Sequence, residues 1–229
     1  MNWQWFVAPG SALYLIPLAA LAGITVMLRS PTGRRPVLVW WSAIAIACLL
    51  TAASKIAFYG WGTGIRAWDL TCFSGHTVIS FAVWPVVGML LAPLGHQGWR
   101  WAGLLGGVAL AGLIAYSRIP LGAHPPSEVL AGLMLGGAAA GVSIQALWDE
   151  HFPRLFVPIT ALVLAVTITV PATHLLPVLP SERWFAQIGI TLSGRTAPVD
   201  RKKWRNVIAT TIHVAFTCED RLAKGASRR

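Results

Sequence analysis

Long apolar runs alternate with short polar segments along the whole chain. Six windows of roughly the length that crosses a bilayer can be marked, at 11–28, 37–53, 77–94, 101–116, 129–147 and 155–176. A transmembrane helix needs about 20 mostly apolar residues. The runs are continuous and do not alternate residue by residue, as the strands of a membrane barrel would. The pattern therefore predicts an all-α integral membrane protein with a six-helix transmembrane bundle.

Composition supports this class and excludes an ordinary soluble domain. Hydrophobic residues make up 55% of the 229 residues, charged residues only 11%, and the mean hydropathy is +0.63. A soluble domain carries about 25% charged residues. The 3 cysteines are widely spaced and form neither a disulfide framework nor a zinc pattern.

The net charge of +10 is concentrated behind the last window. We divide the chain into a six-helix transmembrane bundle at 1–180 and a basic tail at 181–229. For such a tail on a membrane protein, anionic lipid headgroups are a better partner than nucleic acid, and a solvated disordered end is the alternative. The oligomeric state is left open.

Small residues recur at a spacing of four in the fourth and fifth windows. Gly103 and Gly107 form one such pair, and the others are Gly132 with Gly136 and Gly137 with Gly141. This spacing allows helix backbones to approach closely. We interpret this spacing as a feature of helix packing and assign it no catalytic or binding role.

Basic residues predict the orientation of the bundle. The first, third and fifth loops carry Arg29, Arg34, Arg35, Arg100 and Arg154. The positive-inside rule places these loops in the cytoplasm. The second loop, at 54–76, and the fourth, at 117–128, then share the outer face, which in a bacterial inner membrane is the periplasmic face. The side of the tail stays open.

Polar side chains that could catalyse a reaction or bind a ligand are concentrated in those two outer loops. The second loop holds Lys55, Arg66, Asp69, Ser74, Gly75 and His76, and the fourth holds Ser117, Arg118, His124 and Glu128. By helix parity both groups emerge at one membrane face. Charged groups at the edge of hydrocarbon are costly, and they mark functional sites.

The fourth loop predicts an oriented histidine. Pro125 and Pro126 suit the first positions of a helix, which His124 would cap, and Glu128 lies four residues after that histidine. A carboxylate at this spacing can hold one imidazole nitrogen and leave the other as nucleophile or base.

The second loop predicts an anion site. Ser74, Gly75 and His76 stand where the third helix begins, and a helix N-terminus presents free N–H groups to an anion. Guanidinium groups such as that of Arg118 fit phosphate oxygens bidentately. An anion site with two histidines favours phosphoryl transfer through a histidine.

The two motifs together resemble a known family. "FSGH" at 73–76, followed by "SRIPLGAHPPSE" at 117–128, resembles the type 2 phosphatidic acid phosphatase superfamily, the lipid phosphatases related to vanadium haloperoxidases. The likeness covers about 55–141, and the helix layout extends it. It implies a membrane lipid phosphatase that needs no metal and no cofactor.

The resemblance also implies residue roles. His124 would attack phosphorus, Glu128 would orient His124, and His76 would protonate the leaving lipid oxygen. The phosphate oxygens would be held by Lys55, Arg118, Ser74, the Gly75 N–H and, as a substitute ligand, Arg66.

Three positions depart from the family pattern. The family has an arginine seven residues after the lysine, where this chain has Gly62, and the nearest arginine, Arg66, lies eleven after Lys55. Arg66 could instead pair with Asp69. Phe73 stands where proline is usual, and Glu128 where aspartate is usual.

The sequence identifies neither the lipid substrate nor the molecule that accepts the phosphoryl group. Phosphatidic acid, phosphatidylglycerophosphate, undecaprenyl diphosphate and lipid A phosphate fit the pattern equally well. A phosphotransferase with an acceptor other than water, and a non-catalytic protein that binds or transports a lipid phosphate, are the alternatives.

Overall fold

The computed structural model describes residues 3–30, 32–91, 97–150 and 181–205. The helices in these ranges are α1 (Ala12–Arg29), α2 (Arg34–Trp61), α3 (Gly75–Leu91), α4 (Gln97–Ser117), α5 (Pro126–Leu147) and α6 (Ser181–Ser193). The first five agree with the first five apolar windows. The sixth window, at 155–176, lies outside the described residues, so the predicted total of six spanning helices is not confirmed.

Four of these helices, α1, α2, α4 and α5, are long and apolar enough to cross a membrane, and α3 is a shorter apolar helix of 17 residues. Large apolar side chains stay exposed on the outer faces of the bundle, among them Leu49, Leu105, Leu130 and Met134. An exposed apolar surface of this kind is suited to contact with lipid chains. The architecture fits a membrane protein.

The end of α2 corrects one predicted boundary. The second loop was predicted to begin at residue 54, but α2 continues to Trp61. The segment after residue 54 contains no proline, and the helix ends before Gly62, whose φ of 70° is left-handed and whose N–H donates to the Phe58 carbonyl at 2.8 Å. A glycine in this conformation is a common helix terminator. Lys55 is therefore a helical residue.

The chain divides into two compact units. The first comprises Met1–Ala53 and Phe73–Leu179. Its centre is α3, which is buried at every position from Thr77 to Val87 and packs against α4 and α5. A helix that is apolar all round belongs in the interior of a bundle. The indole of Trp40 on α2 donates to the Ala82 carbonyl of α3 at 3.1 Å, so its buried N–H is satisfied.

Two of the three predicted glycine pairs pack against α3. A Cβ on Gly103 or Gly107 would lie 2.2 Å from a carbonyl oxygen of α3, and one on Gly136 would lie 2.4 Å from another; one on Gly132 would lie 3.0 Å from the carbonyl oxygen of Ser74, the residue before α3. These close approaches confirm the packing interpretation for both pairs. No described atom lies within 4 Å of a Cβ on Gly137 or on Gly141.

Hydrogen bonds at one end of the first unit join residues near the ends of three helices. The Arg100 guanidinium donates to the Glu150 carbonyl at 2.9 Å, and the Ser30 hydroxyl donates to the Glu150 carboxylate at 3.2 Å. The end of α1, the start of α4 and the end of α5 therefore lie together, as helix parity requires. That this end faces the cytoplasm stays a prediction.

The second unit comprises Ser54–Cys72 and Pro180–Arg229. It contains the last turns of α2, a tight loop closed by a bridge between Ile65 and Leu70, the helix α6 and a helical turn at 201–205. The proposed division into a bundle and a tail at residue 180 stays a prediction. The structure adds that the tail segment forms one unit with part of the predicted second loop.

Candidate active site

The first motif lies at the start of α3, as predicted. Gly75 is the first residue of this helix, so its N–H has no partner within the helix. Ser74 is buried; its N–H donates to the Glu128 carbonyl at 3.2 Å, and its hydroxyl accepts from Thr77 at 3.0 Å. The bond from Ser74 to Glu128 joins the two motifs directly, so the structure brings the two motifs together at one end of the bundle.

The second motif folds into a closed turn between α4 and α5. Gly122 has a φ of 65°, which favours glycine, and reverses the chain. The Arg118 carbonyl accepts from the N–H of Ala123 at 3.1 Å and from that of His124 at 3.3 Å. The five-residue spacing between the arginine and the histidine is thus the spacing that closes this turn.

His124 and Glu128 form the predicted pair. The His124 Nδ1 lies 2.5 Å from the Glu128 Oε2; the carboxylate side chain is 0% exposed and the imidazole 9% exposed. With an ionised carboxylate, Nδ1 carries the proton and donates it to Oε2, which leaves the lone pair on Nε2. The additional methylene of glutamate therefore does not prevent the carboxylate from reaching the ring.

The start of α5 differs from the prediction by one residue. Pro126 is the first helical residue and Pro125 is the N-cap, so His124 precedes the cap and does not itself cap the helix. The first proline is in extended backbone with ψ of 160°, because a residue before proline is driven out of the helical region. Glu128 still lies in the first helical turn, four residues after His124.

Arg118 presents a buried cation to this site. It is only 4% exposed, and its Nε and Nη2 each donate to the Ser117 hydroxyl at 3.4 Å. Among the described residues no carboxylate pairs with this guanidinium. Burial lowers the pKa of Arg118, although a guanidinium stays protonated at any physiological pH. A buried cation without a counter-ion is costly, which favours binding of an anion here.

His76 lies in the first turn of α3 and is half-buried. A Cβ placed on Gly10 would lie 3.4 Å from the His76 Cδ2, so the short turn at Ala8–Gly10 packs beside the imidazole. The sequence did not point to this N-terminal turn. Its glycine leaves room for Ile114, whose Cγ2 would lie 2.4 Å from a Cβ at this position.

The remaining predicted phosphate ligands, Lys55 and Arg66, belong to the second unit. Lys55 is buried and pairs with the carboxylate of Glu182 on α6, to which the Tyr59 hydroxyl also donates at 2.8 Å. Arg66 lies over the ring of Trp204, with its Cζ 5.3 Å from the centroid. Their role as phosphate ligands stays a prediction.

Sequence reasoning missed Glu182, because 127 positions separate it from Lys55. The signal that was available is the segment "SERWFAQIGITLS", which is amphipathic and carries its acidic residue in the first turn. Such a pattern predicts a helix that packs on a partner. The other four histidines of the chain, which belong to neither motif, lie outside the described residues: His96, His151, His174 and His213.

Comparison with known proteins agrees with this site. A family profile of the PAP2 superfamily matches residues 60–152, the segment that contains both motifs. A Klebsiella pneumoniae protein named "Uncharacterized 22.5 kDa protein in cps region" is 42% identical over 153 residues, which cover 67% of this chain and 72% of the relative. No solved structure matches. The chain belongs to the PAP2 superfamily, and this membership suggests phosphatase-type activity.

Proposed function

We propose that this protein is a membrane lipid phosphatase that hydrolyses a phosphomonoester or a diphosphate of a lipid through a phosphohistidine at His124. The observation that carries the proposal is the hydrogen bond between His124 and the fully buried Glu128. A histidine held in one tautomer by a buried acid is suited to nucleophilic attack. The buried Arg118, with no described carboxylate partner, supplies charge for the phosphate beside it.

In the proposed reaction, Nε2 of His124 attacks phosphorus and the bond from phosphorus to the lipid oxygen breaks. The leaving oxygen takes a proton from His76, and the lipid alcohol, or lipid phosphate, departs. A water molecule then gives its proton to His76 and attacks the phosphohistidine. The nitrogen–phosphorus bond breaks, and inorganic phosphate and the starting enzyme result.

The residues around this chemistry have distinct proposed tasks. The guanidinium of Arg118, the Ser74 hydroxyl and the Gly75 N–H hold the phosphoryl oxygens, with Lys55 and Arg66 assigned to the same task by the family resemblance. Beside Gly75 there is space, since an added Cβ would meet only Thr51 among the described residues, at an ordinary 3.7 Å. Positive groups fixed in this way stabilise the charge that develops at transfer.

The direct test is phosphate release by purified full-length protein from a panel of lipid phosphates: phosphatidic acid, phosphatidylglycerophosphate, undecaprenyl diphosphate and lipid A phosphate. We expect release of inorganic phosphate from at least one of them. Phosphate found on an added acceptor in place of water would indicate the phosphotransferase alternative. Tight binding of a lipid phosphate without any turnover would contradict the proposal and favour the non-catalytic one.

His76→Ala is expected to slow lipid phosphates far more than aryl phosphates in the step that forms the phosphoenzyme. A lipid alkoxide needs the proton that His76 donates, whereas p-nitrophenolate leaves without one. Removal of a general acid costs about a hundredfold to ten-thousandfold in rate. The measurement is a single-turnover comparison of alcohol or phenol release from the two substrates. An equal loss with both would argue against the acid role.

Orthovanadate is expected to inhibit phosphate release, and chelators are not. Vanadate adopts the five-coordinate geometry of phosphoryl transfer and should bind beside His124 and Arg118. In the part of the chain that the structure describes, no group of three or more His, Cys, Asp or Glu side chains could hold a metal ion. The check is the initial rate with and without EDTA or vanadate. Loss of activity in EDTA that added Mg²⁺ restores would contradict a metal-independent mechanism.

A further inference from the structure

The second unit contains a cationic cavity. Of the residues that line it, only Arg66 has a task in the proposed hydrolysis. The volume of the cavity is about 690 Å³, and the charged groups that line it are Arg66, Arg195, Lys203 and Asp200, with Trp204 beside them. Three cations thus face one carboxylate. A concave surface of this charge is complementary to an anionic ligand.

Two described carboxylates of this unit, those of Asp200 and Asp69, accept hydrogen bonds from groups of the same unit. Asp200 Oδ1 accepts from the backbone N–H groups of Lys202 at 2.7 Å and Lys203 at 3.3 Å, as the N-cap of the helical turn at 201–205. Asp69 Oδ1 accepts from Arg205 Nε at 2.6 Å. Within the described ranges, the structure shows no ion pair for the three cations that line the cavity, so their charge is available to a ligand.

Trp204, which lines the cavity, is held in place by several contacts. The Trp204 indole donates to the Gly62 carbonyl at 2.9 Å, and its ring packs edge-on against Phe58 at 5.7 Å. Gly64 has a φ of 145°, and a Cβ there would lie 3.0 Å from the Trp204 ring. Arg66 is exposed, and its guanidinium stacks over this same ring, which places it at the cavity.

The loop that carries Arg66 is suited to the membrane surface. It follows α2, whose 28 residues span about 42 Å, more than the roughly 30 Å of a hydrocarbon core. The side chains of Trp61 and Trp68 are 55% and 68% exposed, and Ile65 is also exposed. Tryptophan is enriched at the level of the lipid headgroups. An exposed aromatic surface next to a cationic cavity is the pattern of a headgroup site.

We propose that this cavity binds the phosphate of an anionic glycerophospholipid, with the exposed tryptophans inserted at the top of its acyl chains. The guanidinium groups of Arg66 and Arg195 bind the phosphate oxygens, and Lys203 adds charge. A zwitterionic lipid binds less well because its own ammonium group faces the same cations. The site shares Arg66 with the phosphate ligands that the family resemblance implies, whereas Arg195 and Lys203 have no task in the proposed hydrolysis.

The test is native mass spectrometry of the detergent-solubilised full-length protein, titrated with phosphatidylglycerol or phosphatidylcholine. Vanadate is present throughout, so that lipid bound at His124 does not contribute. We expect preferential binding of phosphatidylglycerol. The triple variant Arg66→Gln, Arg195→Gln, Lys203→Gln should bind it about a hundredfold more weakly, because each cation near an anionic group contributes about a factor of five.

The matched control is the triple variant Arg29→Gln, Arg34→Gln, Arg35→Gln, which removes the same charge from exposed positions of the first unit. It should retain the preference, and the single variant Arg195→Gln, at an exposed loop position, should show an intermediate loss. Equal losses in both triple variants, or equal binding of the two lipids by the unchanged protein, would overturn the proposal. Full competition by soluble glycerol phosphate would mean that the ligand is free phosphate and would also overturn it.

Discussion

His124→Ala is expected to reduce phosphate release at least about a thousandfold, because the atom that forms the bond to phosphorus is removed. The substitution also leaves the buried carboxylate of Glu128 without its imidazole partner. A loss of activity could then reflect a loss of stability. The measurement is the initial rate on the best lipid substrate, with thermal unfolding recorded on the same preparations.

His124→Asn separates the loss of the nucleophile from the loss of stability. Its side-chain amide nitrogen takes the position of Nδ1 and can still donate to Glu128, but it has no counterpart of Nε2. We expect this variant to be as inactive as His124→Ala and to unfold at a temperature closer to that of the unchanged protein. His213→Ala, a histidine outside both motifs, should keep full activity. Substantial turnover by either variant at position 124 would exclude His124 as the nucleophile.

Glu128→Gln is expected to lower the rate by about a hundredfold to ten-thousandfold, as loss of the orienting acid does in other histidine-dependent enzymes. The neutral amide can present its NH₂ to Nδ1, which places the imidazole proton on Nε2 and removes the attacking lone pair. The phosphohistidine also loses the negative charge beside Nδ1. The effect should appear in kcat, with little change in KM, because the acid does not touch the substrate.

Glu128→Asp is the matched control for Glu128→Gln. Aspartate keeps the charge and the tautomer, and it is the usual family residue at this position. We expect activity that is retained or raised. Equal and severe losses in Glu128→Asp and Glu128→Gln would mean that the site requires the length of glutamate, whose carboxylate already lies 2.5 Å from the ring. Equal and full activity in both would contradict the orienting role.

The parts of the fold that local patterns determine were predictable. Apolar runs located α1 to α5 within a few residues, apart from the end of α2, and the glycine spacing predicted close packing of α4 and α5 without identifying α3 as the partner. The pairing of His124 with Glu128 was predictable because four residues at a helix start fix their relative position. These features depend on backbone periodicity, which a short stretch of sequence contains.

Contacts between distant segments were not predictable. The pairing of Lys55 with Glu182, and of Asp69 with Arg205, joins residues 127 and 136 positions apart. Nothing in the local pattern of either segment identifies its partner, because charge complementarity alone is satisfied by many pairs. The continuation of α2 to Trp61 was not predictable from the local pattern, because Ser54 and Lys55 are polar residues that also suit the start of a loop.

The most direct measurement of the central claim is the identification of a phosphorylated residue in trapped enzyme. His76→Ala mixed with labelled p-nitrophenyl phosphate should accumulate the intermediate, because this leaving group needs no acid while hydrolysis lacks its base. After rapid quenching in alkali, we expect the label on the peptide that contains His124, and no label when His124→Asn is added to the variant. Label on another residue, or rapid phosphate release in a single turnover without any labelled peptide, would contradict a phosphohistidine at His124.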